Sequence, residues 1–254
     1  MDGKVANWLL PALVIAALIG VWQIAASTGA LADLLGLEPF LVPSPAEIAS
    51  SLWENRELLA EDAWVTLQEI LLGFLIGLAA GLGFAFLLRL SATLRRAFYP
   101  LLVASQAIPI VVVAPILVVW LGFGIGPKLA IVALLCFFPI AVNTLDGLRS
   151  ADPEATKMMR SLDASRRQIL WRVEAPAALP FLFSGARIAA VFAPIGAVFG
   201  EWVGADSGLG HLILQDNAQL ETAREFAAVV VLVAIALSLF GLLALAERRI
   251  VTWR

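Results

Sequence analysis

The chain has 254 residues, of which 61% are hydrophobic and only 15% charged, with one cysteine and a formal net charge of −3; mean hydropathy is +0.92. Water-soluble domains carry roughly 25% charged residues, so this composition excludes an ordinary soluble fold and makes lipid the expected solvent and membrane lipid an expected contact. The negative balance argues against nucleic acid as a partner, and a lone Cys136 excludes an intrachain disulfide or a multi-cysteine metal site.

In chain order, the first apolar run is Trp8–Ala26. It approaches the roughly 20 residues that span a bilayer and exceeds the h-region of a signal peptide, so it reads as a retained helix despite Lys4 before it and Ala30-Leu31-Ala32 after it. A polar, acidic stretch, Leu34–Asp62, follows. In it Ser44, Pro45 and Glu47 form an N-cap, N1 and N3 set that predicts a helix start. Further spans are predicted at Val65–Leu88, Phe98–Phe123, Leu129–Leu148, Ala177–Val203 and Phe226–Ala246, giving an all-α membrane protein of six transmembrane helices in a single domain, 1–254. Gly73, Gly77 and Gly81 recur on one face of the second span, where they permit close approach of another helix. Pro109, Pro115, Pro139 and Pro194 predict kinks in the later spans.

Thirteen basic residues fall on one side of these spans: Lys4, Arg89, Arg95, Arg96, Arg149, Lys157, Arg160, Arg166, Arg167, Arg172, Arg248, Arg249 and Arg254. Only Arg56, Lys128 and Arg224 fall on the other, with Arg187 inside the fifth span. Positive charge is retained in the cytoplasm, so both termini are predicted to be cytoplasmic. Arg187 is expected to snorkel toward that face.

The connection 149–176 is too long for a plain turn and is written as two short helices. Asp152, Pro153 and Glu154 open the first with an acceptor, a preset φ and an acid at the positive dipole end. Asp163 interrupts it. Ser165 and Gln168 form a capping box for the second, which is predicted to stop before Pro176. The first helix presents Met158, Met159 and Leu162 between Lys157 and Arg160, an apolar face able to repack against a partner in several conformations. On helix pattern alone, an amphipathic segment lying on the membrane fits as well.

The run Asp152-Pro-Glu-Ala-Thr-Lys-Met-Met-Arg-Ser-Leu-Asp-Ala-Ser-Arg-Arg-Gln168, followed by Ala178-Leu179-Pro180, resembles the EAA loop of binding-protein-dependent ABC import permeases. Anchored on Ser161, Leu162, Ala164 and Ser165, Lys157, Met158 and Met159 take the Glu-Ala-Ala positions and Asp163 the glycine position, both departures from the family pattern. Phe40-Leu-Val-Pro-Ser-Pro-Ala-Glu47 and Gly200-Glu-Trp-Val-Gly-Ala-Asp-Ser-Gly-Leu-Gly210 extend the resemblance over nearly the whole chain, toward the nitrate, sulfonate, taurine and thiamin-precursor pyrimidine branch. Trp120-Leu-Gly-Phe-Gly124 and Cys136-Phe-Phe-Pro-Ile-Ala-Val-Asn143 are most similar to pyrimidine or riboflavin-type permeases.

The resemblance implies a type I, MetI-like permease in a bacterial cytoplasmic membrane. Its implied partners are a second permease copy, cytoplasmic ABC ATPases and an external solute-binding protein. The segment implied to couple to the ATPase comprises Glu154, Lys157, Met158, Met159, Arg160, Leu162, Asp163 and Ala164. No Gly-x-x-x-x-Gly-Lys-Ser/Thr segment occurs, so ATP would bind the partner, and the chain is expected to be neither an enzyme nor a cofactor carrier. Polar residues at membrane depth face cavities or neighbouring helices; Gln106, Asn143 and Glu201 are the pathway candidates, with Ser105, Thr144 and Trp120 behind them. A secondary transporter or channel is the competing class, but neither an internal repeat nor a chain of buried ionisable groups stands out to support it.

Overall fold

The computed structural model describes residues 2–253, with side chains from residue 9 onward. The side chains of Lys4 and Trp8, and Arg254 as a whole, lie outside the described residues. Secondary structure among the described residues is helical throughout. Helix α1 (Asp2–Ser27) leads to two short helices, α2 (Ala30–Leu35) and α3 (Pro45–Glu54), and then to α4 (Arg56–Leu90). The stretch 34–62 is thus mostly helical rather than an open connection. At its centre α3 begins with the expected capping box: Glu47 N–H donates to Ser44 Oγ at 3.3 Å, and Ser44 N–H donates to the Glu47 carboxylate at 2.7 Å.

The third span departs most from expectation. It is not one helix over 98–123 but two, α5 (Ala92–Ser105) and α6 (Ile110–Leu121), bent by 103° at the break. Pro109, which cannot donate a backbone hydrogen bond, sits at the N-cap of α6, where a helix needs no donor. Counting this bent pair as one crossing gives six spans with α1, α4, α7 (Ile125–Arg149), α10 (Ala175–Gly204) and α12 (Thr222–Ile250). By contrast, α7 and α10 continue unbroken through Pro139 and Pro194.

Close packing centres on α7, which lies between α4 and α10. A Cβ added at Gly77 would stand 2.8 Å from both the Ala133 carbonyl oxygen and Cys136 Cβ, and the neighbouring Gly73 and Gly81 meet Val132 and Ile140 in the same row. On the other flank, Gly185 leaves no room between α10 and α7 at Pro139 and Asn143. In lipid, where apolar contact alone gives helices no preference for one another, this close backbone approach supplies the dispersion contacts that hold them. The resulting core joins Ile70 and Phe74 of α4, Val132, Cys136 and Ile140 of α7, and an alanine stripe, Ala186, Ala189, Ala190, Ala193 and Ala197, of α10.

Between spans four and five, α8 (Pro153–Ser161) is capped by Asp152, whose side chain accepts from Glu154 N–H at 2.8 Å. Asp163 then turns the chain with φ 53°, a left-handed conformation that Asp tolerates better than most non-glycine residues. This aspartate occupies the glycine position of the EAA pattern and keeps a backbone shape that glycine would adopt without cost. Ser165 and Gln168 form their box at the start of α9 (Arg166–Ile169). The second helix does not stop before Pro176, however. It passes through a π turn, Leu170–Glu174, directly into α10, so Arg166–Gly204 is one rod of 39 residues. Pro176 lies just inside the start of α10. The connection to α12 also contains a helix, α11 (Leu209–Gln219).

Candidate functional site

The bundle has two unlike ends. At the acidic end, a buried polar cluster ties α4, α7, α10 and α11 together. Lys128, assigned by sequence to an external connection, is in the first turn of α7 and buried, and its Nζ lies 2.7 Å from Glu69 Oε1 on α4. Glu69 was not among the sequence candidates. Beside it, Glu201 on α10 is 1% exposed and fully engaged: Thr66 Oγ1 donates to Oε1 at 2.7 Å, and the Gly210 and His211 amides donate to Oε2. Thr66 Oγ1 also accepts from Leu209 N–H at 2.8 Å, and Asp62 accepts from Gly208 N–H at 2.8 Å.

The free N–H groups at the start of α11 are therefore capped by carboxylates and a hydroxyl from distant chain segments, not by a local side chain. Gly208 itself has φ 112°, and a Cβ there would run into the Glu201 carboxyl group, so both the backbone and the space require glycine. Above this cluster opens a cavity of about 650 Å³ whose walls include Gln68, Glu69, Lys128, Trp202, Asp206 and His211. Ser207 and His211 lie in the same wall, but Asp62 and Glu201 engage the backbone amides of Gly208 and His211, not the imidazole.

The other pathway candidates are dispersed. Gln106 is exposed at the α5–α6 break. Asn143 donates to the Pro139 carbonyl at 2.7 Å inside α7, and Thr144 is buried with no hydrogen-bond partner for its hydroxyl among the described residues. Ser105 bonds back to Leu102 O at 2.7 Å, and Trp120 is 76% exposed. Thus Glu201 joins a cluster with Glu69, Lys128 and Thr66, whereas Gln106 and Asn143 stay apart from it and from each other.

At the basic end, α8 stands out from the bundle with no buried residue. Met158 and Leu162, four residues apart and so on one helical face, are 61% and 71% exposed, and Met159 is partly covered. Lys157 and Glu154 pair with each other at 3.0 Å on the surface. Behind α8, Arg89 at the end of α4 makes a two-pronged ion pair with Glu174 of the π turn. Trp171 stacks on Phe86 nearby, with ring centroids 5.7 Å apart. Arg187 reaches toward the basic end, as expected, and is held there by Glu247 in the last turn of α12 at 3.2 Å.

Five apolar spans, a sixth broken at Pro109 and a capped hairpin projecting from one end define a multi-pass inner-membrane transport protein. Residues 73–252 match the binding-protein-dependent transport system inner membrane component family, and the chain belongs to that family as the permease subunit of an ABC importer. It is 35% identical over 247 residues to the formylaminopyrimidine transport permease protein ThiX of Halalkalibacterium halodurans, covering 97% of this chain and 96% of that one. With the riboflavin transport system permease protein RibX of Chloroflexus aurantiacus it shares 38% identity over 222 residues, 87% of this chain and 83% of the relative. A solved structure of the MetNI methionine ABC transporter in an inward facing conformation superposes with a TM-score of 0.65 at 23% identity, over 78% of this chain and 97% of that one.

Proposed function

We propose that the chain, as one domain over 1–254, is half of a permease homodimer. Its basic end faces the cytoplasm and receives an ABC ATPase on α8, and its acidic end receives an external solute-binding protein. The observation that carries this reading is the exposed Met158–Leu162 face of α8, which is apolar, capped at its start and not covered by this chain. Glu154, Lys157, Asp163 and Ala164 complete the coupling segment around that face, and Arg160 lies on the segment's other side. The basic excess at the same end supports its cytoplasmic placement. ATP binding and hydrolysis belong to the partner, so this subunit has no catalytic role.

The solute is a small amino-substituted heterocycle of the pyrimidine or riboflavin kind. Lys128 in the acidic-end cavity is already neutralised by Glu69, leaving Asp206 in excess, which disfavours the anionic sulfonate and nitrate alternatives. Trp202 and Phe123 offer the same cavity flat apolar surfaces. Gln106, Asn143 and Glu201 are the pathway residues of this reading.

Two experiments test it. Met159→Glu is expected to release the ATPase from the purified complex while the permease keeps its melting temperature; retained ATPase and transport would remove α8 as the docking helix. Ligand screening of the cognate binding protein is expected to yield a formylaminopyrimidine or riboflavin, and tight taurine or sulfonate binding would reverse the solute assignment. For the pathway, Glu201→Gln is expected to lower uptake in proteoliposomes; unchanged uptake across pH would strike it from the set.

A further inference from the structure

A cavity of about 250 Å³ lies behind α8, among the end of α4, the start of α5 and the start of α9. Four arginines line it: Arg89, Arg95, Arg160 and Arg166. A single acid shares the wall, Glu174, and Arg89 already occupies both of its oxygens. Arg95, Arg160 and Arg166 have no ion-pair partner among the described residues. Three guanidinium groups without an ion-pair partner, from three different elements, therefore line one recess, a local excess of positive charge that favours an anion there.

The arrangement differs from the ATPase-docking face. Arg160 is two residues from both Met158 and Leu162, which places it on the opposite side of α8, toward the bundle. Planar forks from several directions suit a tetrahedral oxyanion better than a single carboxylate. The recess also has apolar walls, Leu90 and Ile169, and sits where a span ends.

We propose that this recess binds a phosphate group, carried either by an anionic phospholipid or by a free phosphate, and so links the end of α4 to the hairpin that carries α8. Basic recesses between spans on one membrane face are suited to lipid headgroups. The proposal does not depend on which solute is transported.

The test uses the purified permease–ATPase complex. Binding of phosphatidylglycerol is measured by native mass spectrometry, with phosphatidylcholine as the zwitterionic comparison and inorganic phosphate as competitor. Wild type is expected to retain phosphatidylglycerol over phosphatidylcholine. Arg95→Gln and Arg166→Gln are each expected to weaken that retention about tenfold, the scale of one charge-assisted hydrogen bond. Arg95→Lys, which keeps the charge but loses the fork, should fall between, and Arg96→Gln, outside the recess, should match wild type.

Retention that inorganic phosphate cannot displace assigns the site to lipid, and displacement by millimolar phosphate assigns it to the free anion; both support the proposal. Equal retention in wild type and both glutamine variants overturns it. So does loss of the ATPase from those variants with anion binding unchanged, because the arginines would then serve a protein contact.

Discussion

The acidic end spends its polar groups inward and the basic end spends them outward. Around Glu201, Thr66, Asp62, Glu69 and Lys128 exchange hydrogen bonds with one another and with the start of α11. Around α8, Met158, Leu162, Arg160 and Arg166 remain on the surface. The first end is closed by its own residues, whereas at the second the hairpin leaves the Met158–Leu162 face uncovered by this chain, beside the internal pairs Arg89–Glu174 and Arg187–Glu247. The same substitution chemistry should therefore be read as stability at the first end and as association at the second.

The largest expected effect is at Lys128. Lys128→Met leaves the Glu69 carboxylate buried without its cation, a defect that costs about 3–5 kcal/mol when a buried pair is broken. Thermal unfolding in detergent should show it, and adding Glu69→Leu should recover much of the loss. An unchanged melting temperature in the single variant would mean that the cluster does not fix this end.

Next is Gly77→Val, which drives a side chain into the Ala133 carbonyl and Cys136; overpacking of this kind costs about 1–3 kcal/mol. A smaller loss, about 1 kcal/mol, is expected for Thr66→Val, because Thr66 both donates to Glu201 and accepts from Leu209 N–H. Hydrogen exchange should then rise across α11 before it rises in α7. The smallest effect on folding belongs to the basic end: Met158→Glu should move stability by no more than about 0.5 kcal/mol while weakening ATPase capture. A large destabilisation there would erase the contrast between the ends.

The features readable from sequence were those set by neighbours in the chain. Ser44 with Glu47, Asp152 with Glu154, and Ser165 with Gln168 are caps whose partners lie two or three residues apart, and all three form. The glycine row of α4 was equally visible, although its partner, α7, was not. The start of α11 was illegible because no local side chain caps it: its donors end on Asp62, Thr66 and Glu201, up to 146 residues away. The pairing of Glu69 with Lys128 was illegible for the same reason, since a pair 59 residues apart exists only once α4 and α7 pack. Pro109 marked a weak point in the third span, but a proline sets where a helix starts and not the angle at which its predecessor arrives. The second helix of the hairpin is expected to stop before Pro176, because the residue preceding a proline disfavours helical backbone. It runs on because the π turn Leu170–Glu174 immediately before Pro176 shifts the hydrogen-bond pattern where the proline has no donor to give.

That continuity has a mechanical meaning. The rod Arg166–Gly204 is about 58 Å long at 1.5 Å per residue, with one of the recess arginines at its foot and Glu201 near its top. For a rod of that length, a tilt of about 10° about its midpoint carries each end about 5 Å in opposite directions. One continuous helix, with only the π turn and its prolines to absorb strain, thus joins the hairpin at one end of the bundle to the loop beneath the opposite cavity.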